Sequence, residues 1–217
     1  DVGNKCFDEC EWDGTISASL KNIKNIGSTA FKGATFTTDI SIPAGATVSS
    51  AAFENAALKK VSYNAETASY AAFKGASMDS LTFGDSTKEI SAYAFQKSTI
   101  GGDVLELGKV ETIRSYAFSG ATIPATVIVP ETATYYDNHV FHGTKGGTTL
   151  LVYGAYNMVP TALTHGSQFQ TVLITANIVN NDNVTYGDNQ KAHNRLDSMP
   201  ASHIIYMIND TSRVNAK

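Results

Sequence analysis

A short phrase of apolar and small residues recurs along most of this chain and gives it a regular period. In each copy an aliphatic position is followed four residues later by a small residue, next by a phenylalanine, and three residues after that by a second small residue. The phenylalanines recur every 20 to 24 residues, at Phe7, Phe31, Phe53, Phe73, Phe95, Phe118 and Phe141. Self-similarity at such a period predicts a solenoid, a stack of similar units whose phenylalanines form its structural core.

Each unit also contains a short alternating segment, which predicts a strand. An apolar pair with one residue between its members follows the first six phenylalanines by 8 to 11 residues. These pairs are Ala18/Leu20, Ile40/Ile42, Val61/Tyr63, Leu81/Phe83, Leu105/Leu107 and Val127/Val129. Because a unit of about 20 to 29 residues with one strand is typical of leucine-rich repeats, we predict a β-rich leucine-rich-repeat solenoid. Its short parallel strands line one face, and short helical or turn segments line the other.

The two cysteines fall on the small positions of the first phrase. Cys6 aligns with the alanine before each phenylalanine, and Cys10 aligns with the small residue three positions after it. Free cysteine packs well as a small apolar residue, so we interpret both as packing residues, with a local disulfide as the alternative. With no second pair and no nearby histidine, they do not predict a zinc site.

The repeat becomes irregular toward the C-terminus. The seventh phrase carries Val140 at the alanine position, and the period is lost after Phe141. Terminal units of solenoids are expected to be atypical because they close the core. We therefore predict an array of about six to seven units over residues 1–149, and a C-terminal cap or small appended β-containing region over residues 150–217. The chain begins inside a repeat, so we expect it to come from a longer array.

Two of the phrases resemble a known family closely. IGSTAFKGA at residues 26–34 is followed by ISIP, and IRSYAFSGA at residues 113–121 is followed by VIVP. This pattern resembles the BspA-like leucine-rich repeats, also called the Treponema pallidum type, over about residues 2–143. Of the positions where that family often has cysteine, only Cys10 keeps it. The resemblance implies a bacterial or protist protein, secreted or at the cell surface, that attaches to host proteins, other cells or matrix.

Composition and charge narrow the possible partners. The chain has 217 residues, of which 42% are hydrophobic and 17% charged, a balance that supports a folded core. The net charge is −4 and the basic residues are scattered, so we do not expect binding to nucleic acid. No run approaches the roughly 18 apolar residues of a membrane helix, so we expect no membrane span in this chain.

The residue types that carry catalysis do not cluster along the sequence. His139 and His142 lie three residues apart, but no acid or cysteine beside them supplies a third metal ligand. The glycine pairs Gly101-Gly102 and Gly146-Gly147 lack a phosphate-binding pattern and are interpreted as turn insertions. We therefore predict a protein that is not an enzyme and needs no metal or cofactor, and we keep a site in residues 150–217 as a remote alternative.

The outward positions of the predicted strands remain as the candidate binding surface. Between the two members of each apolar pair lie Ser19, Ser41, Ser62, Thr82, Glu106 and Ile128. Asp39 and Lys60 immediately precede the pairs Ile40/Ile42 and Val61/Tyr63. Because most of them are small and hydroxylated, one alternative is that this face is only solvated and binds nothing. Another is that binding occurs through aromatic loops of the C-terminal region. The expected partner is a protein or glycan on host or neighbouring cells. A second possibility is end-to-end self-association into a surface fibre or layer.

Overall fold

The computed structural model describes residues 1–9, 11–12, 20–153, 166–176 and 203–208. In these residues the chain winds into a solenoid of stacked coils, and every strand pairing is parallel, which confirms the predicted fold class. Each coil contributes to three parallel ladders that run along the solenoid. We call them the first, second and main ladders, in the order in which a coil enters them.

The three ladders use strands of different length. The first ladder consists of two-residue strands in two separately paired groups: β2 (Asn25–Ile26) with β5 (Thr47–Val48), and β7 (Thr67–Ala68), β9 (Glu89–Ile90), β12 (Thr112–Ile113) and β14 (Tyr135–Tyr136) with one another. The second ladder contains β1 (Glu11–Trp12), β3 (Thr35–Phe36) and β10 (Thr99–Ile100). Two longer strands, β6 (Ala57–Tyr63) and β8 (Ser77–Phe83), continue from the second ladder into the main one. The main ladder also contains β4 (Ile40–Ile42), β11 (Val104–Glu106), β13 (Thr126–Val129), β15 (Thr149–Tyr153), β16 (Thr171–Ala176) and β17 (His203–Ile208).

The phenylalanine column holds neighbouring coils together. The ring of Phe73 is stacked between those of Phe53 and Phe95, at centroid distances of 5.0 and 5.1 Å. The Phe73 amide donates a 2.7 Å hydrogen bond to the carbonyl oxygen of Ala94 in the next coil. That alanine is fully buried, so a larger side chain there would separate the coils. The same stacking continues through the other buried members of the column, Phe31, Phe118 and Phe141.

The segment around each phenylalanine is a turn. Between residues 21 and 153, all of which are described, the chain forms no helix. Left-handed backbone recurs two residues before the phenylalanine, as at Ala51 (φ 56°), and two residues after it, as at Gly75 (φ 69°). Because such residues interrupt right-handed helical backbone, the predicted helical or turn segment forms a turn.

The first coils depart from the sequence predictions at two places. Cys6 is exposed and its thiol is free, so the interpretation as a buried packing residue was wrong for it. Its counterparts, such as Ala30, are fully buried. Leu20 is buried but helical, where we predicted a strand; Ala18 and Cys10 lie outside the described residues.

The main ladder is interrupted between β8 and β11. In β6 the buried residues Leu58 and Val61 lie three positions apart, so the second and main ladders share one strand. In the coil that contains β11 the corresponding residues, Ile100 and Leu105, lie five positions apart, because Gly101-Gly102 lengthens the connection. Within residues 77–108, which are described throughout, no ladder joins β8 to β11. The inserted glycines therefore shift the strand away from its neighbour.

We expect Gly101→Ala to lower the free energy of unfolding by about 1 to 3 kcal/mol, as overpacking does. A Cβ atom at Gly101 would lie 2.6 Å from the carbonyl oxygen of Asp79, and a backbone atom cannot rotate away. The matched control is Gly45→Ala, where a Cβ would meet nothing within 4 Å and only the left-handed backbone (φ 75°) opposes the change. Urea unfolding of both variants measures the difference; equal costs would show that the close approach to Asp79 is unimportant.

The irregular C-terminal region contributes further strands to the main ladder. β15 pairs with β16 over five residues and β16 pairs with β17 over six, all in parallel. Phe169 is buried and packs edge-on against the ring of Phe141 at 5.5 Å. Apart from Thr149, these strands lie within residues 150–217, for which we predicted a cap or a small β-containing region. The division into residues 1–149 and 150–217 stays a prediction.

Candidate binding surfaces

The predicted strand face is an outward surface of the main ladder. Ser41, Ser62 and Thr82 are aligned in register across β4, β6 and β8, and Glu106 and Ile128 are aligned across β11 and β13. Ser62, Thr82 and Glu106 are exposed, whereas Ser41 and Ile128 are half-buried. The interruption after β8 divides this surface into two parts.

The remaining residues predicted for the strand face are only partly described. Asp39 and Lys60 are exposed, and the Lys60 amide donates a 3.2 Å hydrogen bond to the Asp39 carboxylate. Ser19 lies outside the described residues. The Thr82 hydroxyl donates to the carbonyl oxygen of Val61 at 3.3 Å, so part of its hydrogen-bonding capacity is used within the sheet. The strand face therefore offers short polar side chains.

A second surface, which the sequence analysis missed, lies beside the first ladder. We call Tyr70, Tyr93, Tyr116 and His139 the aromatic row. The rings of Tyr93 and Tyr116 stack at 5.4 Å, and those of Tyr116 and His139 stack at 5.0 Å. Tyr70 meets Tyr93 edge-on at 5.6 Å and is 55% exposed. The row thus presents ring edges and polar atoms from four successive coils.

The aromatic row carries large side chains on left-handed backbone. Tyr93, Tyr116 and His139 have φ angles of 61°, 59° and 63°. In two preceding coils the same position, two residues before the phenylalanine, is occupied by Ala51 and Ala71. A bulky residue with positive φ is uncommon and strained. The sequence did contain a sign of the aromatic row: in three successive coils an aromatic residue occupies the position two residues before the phenylalanine.

An ion pair and a cation–π contact lie along the first ladder. The Arg114 guanidinium lies 5.1 Å from the ring centroid of Tyr135, which is 46% exposed. Its Nε atom also lies 3.4 Å from the carboxylate of Glu89, and this hydrogen bond and charge raise the pKa of Arg114. Tyrosine and arginine are the residue types that most often dominate protein interfaces.

The described residues do not bring catalytic groups together. His139 and His142 meet edge to face at 5.4 Å, at the ends of a turn in which the His142 amide donates to the His139 carbonyl oxygen. Among the residues that the structure describes, no three histidine, cysteine or acidic side chains could hold one metal ion. No helix in the same residues is long and apolar enough to cross a bilayer.

The comparisons with known proteins agree with the repeat seen in the coordinates. A family model described as a BspA type leucine rich repeat region matches the chain in six copies, over residues 1–76 and 47–157. These ranges contain the whole phenylalanine column, both parts of the strand face and the whole aromatic row. Neither a curated protein nor a solved structure matches the chain significantly.

Proposed function

Because the chain belongs to the BspA-type leucine-rich repeat family, we propose that it is a non-enzymatic, adhesin-like protein-binding module, secreted or exposed at a bacterial cell surface. The coarser part of this proposal, a repeat protein suited to interaction, rests on the family and on the solenoid. The finer part, attachment to a protein or glycan on host or neighbouring cells, is what the experiments below test. A fold alone does not determine a function.

One observation carries the proposal: the outward side chains of successive coils are aligned in register along the main ladder. Neighbouring paired strands lie about 4.8 Å apart, so side chains from successive coils form a shallow strip on each side of the interruption. Such a surface fits a protein or an extended glycan better than it encloses a small molecule.

We place the main contact on the strand face. In the aromatic row Tyr93, Tyr116 and His139 are half-buried and cover one another's ring faces, so mainly their edges remain for a partner. On the strand face Ser62, Thr82 and Glu106 are exposed and lie in the middle of the array. The aromatic row is kept as the alternative contact surface.

Two double variants distinguish these surfaces. Ser62→Arg with Thr82→Arg places two bulky cations on the strand face without changing the buried residues Val61 and Leu81, so the solenoid should fold. We expect beads coated with this variant to lose adhesion to cultured epithelial cells or to matrix, because close contact along the ladder is blocked. Circular dichroism and the melting temperature should match those of the unaltered chain.

The matched control changes the other surface. Tyr93→Asn with Tyr116→Asn removes two rings of the aromatic row, and asparagine tolerates left-handed backbone. We expect this variant to adhere as the unaltered chain does. Loss of adhesion in the asparagine variant alone would move the contact to the aromatic row. Failure of the unaltered chain to adhere, combined with a molecular size that grows with concentration, would favour the fibre-forming alternative.

A further inference from the structure

The interruption of the main ladder leaves a cleft on the strand face. The cleft lies between Leu81–Phe83 of β8 and the segment from Val104 to Lys109, and its volume is about 380 Å³. The chain segments on either side of it approach each other closely at two glycines. Gly101 lies against Asp79, and a Cβ atom at Gly108 would lie 3.1 Å from that of Phe83. The cleft is therefore built by the glycines of the lengthened coil.

The walls of the cleft are strand edges without a strand partner. β8 pairs with β6 and β10, whereas β11 pairs only with β13. Residues 77–108 are described throughout, and within them no backbone hydrogen bond joins Ser80–Phe83 to β11. Backbone N–H and C=O groups on these two edges therefore have no ladder partner, and the carbonyl oxygens among them can accept hydrogen bonds from a ligand.

The cleft also exposes apolar surface that the other coils bury. Phe83 occupies the ladder position of Tyr63 and Leu107, which are fully buried, but it is itself half-buried. Val104 is 46% exposed at the opposite wall. The Phe83 ring meets the core rings of Tyr63 and Phe95 edge-on, at 6.2 and 5.8 Å, and its exposed part lines the cleft together with Val104.

The charge of the cleft favours a cation. Asp85 and Lys109 form a 2.7 Å ion pair at its rim, where both side chains are more than half exposed. Glu106 is exposed and forms no ion pair with any described residue. Two carboxylates against one ammonium leave the cleft with a net charge of −1.

We propose that this cleft binds the side chain of an arginine presented by a protein partner. The planar guanidinium carries five N–H donors and no acceptor, which suits a slot with a carboxylate, the Thr82 hydroxyl and free carbonyl oxygens. The methylene groups of the arginine side chain would lie against the apolar surface that Phe83 and Val104 contribute to the cleft. This inference deepens the proposed function, because it names the group that a partner would insert into the strand face.

The test uses a small probe, so it does not depend on finding the partner. N-acetyl-arginine amide is titrated into the isotopically labelled chain and followed by NMR. We expect saturable shifts of the Val104 methyl groups and the Phe83 ring, with a dissociation constant of the order of millimolar for so small a ligand. The citrulline analogue, which has nearly the same shape but no charge, should bind at least about threefold more weakly.

Two variants with opposite expected effects on arginine binding test whether the charge of the cleft determines its affinity. Glu106→Gln should weaken arginine binding by about threefold to fivefold, as expected for an exposed ion pair, and Lys109→Met should strengthen it because a competing cation is removed. Glu131→Gln, which changes an exposed acid elsewhere, is the matched control and should leave binding unchanged. Circular dichroism verifies that the variants fold.

Three results would overturn the proposal: equal binding of arginine and citrulline probes, shifts that are absent at Val104 and Phe83, or no effect of Glu106→Gln in a folded protein. None of these results bears on whether the strand face supports adhesion. Conversely, if the unaltered chain does not adhere in the cell assay, the outcome of the titration is not affected. The arginine cleft and the adhesin-like function can thus fail separately.

Discussion

Replacing Phe73 with alanine is expected to lower the free energy of unfolding by about 3 to 5 kcal/mol, the usual cost of removing a buried ring. Phe73 is fully buried and is stacked between two parallel rings, 5.0 Å from Phe53 and 5.1 Å from Phe95. A third ring, that of Tyr63, meets it edge-on at 5.6 Å. The coils on both sides are fixed by backbone hydrogen bonds, so they cannot close the cavity. Urea unfolding followed by circular dichroism measures the loss.

Phe7→Ala is the matched control for Phe73→Ala. Phe7 belongs to the same column, but it is only half-buried and stacks on a single member of the phenylalanine column, Phe31, at 5.4 Å. We expect its replacement to cost less than half as much as that of Phe73. Equal unfolding midpoints for the two variants would contradict the claim that a phenylalanine of the column stabilises the fold more when it is buried between two coils.

The stability of the folded chain is expected to fall steeply above pH 10, because burial raises the pKa of Tyr63 well above its ordinary value. In the unfolded chain a tyrosine ionises near pH 10, whereas the folded protein keeps the Tyr63 proton to higher pH. The stabilisation is therefore complete below pH 10 and is lost as the pH rises beyond it. Each further pH unit costs up to about 1.4 kcal/mol for this one group. Tyr136, whose pKa burial raises to about 12, adds to the same decline.

The contribution of Tyr63 is measured by unfolding in urea at several values between pH 9 and pH 12. Tyr63→Phe should make the decline shallower, although it also removes the 2.6 Å hydrogen bond to the Thr67 carbonyl oxygen and so costs about 1 kcal/mol at pH 7. Tyr70→Phe, which removes the hydroxyl of a tyrosine that is 55% exposed, is the matched control for the substitution. An identical slope in the Tyr63 variant would contradict the role assigned to its burial.

Most of the fold could be predicted from the sequence because its repeat is marked by a single large side chain. Phe31, Phe53 and Phe73 occupy equivalent places, and a ring that must fit between two coils tolerates few substitutes. Alternating pairs such as Val61/Tyr63 then located the strands. The sequence did not distinguish a helix from a turn in the segment around each phenylalanine. That difference depends on residues with left-handed backbone such as Ala51, and alanine does not predict this conformation.

The aromatic row and the cleft were harder to predict than the strand face, because both depend on differences between coils. The aromatic row is visible only when Tyr93, Tyr116 and His139 are compared at one repeat position. Predicting the cleft requires knowing that Ile100 and Leu105 lie five positions apart instead of three, and that this difference displaces one strand from its neighbour. A sequence pattern identifies what the coils share, whereas a binding site arises where one coil departs from the pattern.

The hydrogen bonds between coils also determine how the protein responds to mechanical tension. Each coil is fastened mainly to the coil before it and the coil after it, as when the Phe53 amide bonds to the Ala72 carbonyl oxygen at 2.7 Å. A force applied along the solenoid therefore detaches one coil at a time, beginning at an end. Because the phenylalanines recur every 20 to 24 residues, each detached coil lengthens the tether by about 75 Å. A chain that holds two cells together would thus dissipate a sudden load in steps before its bound partner is pulled away.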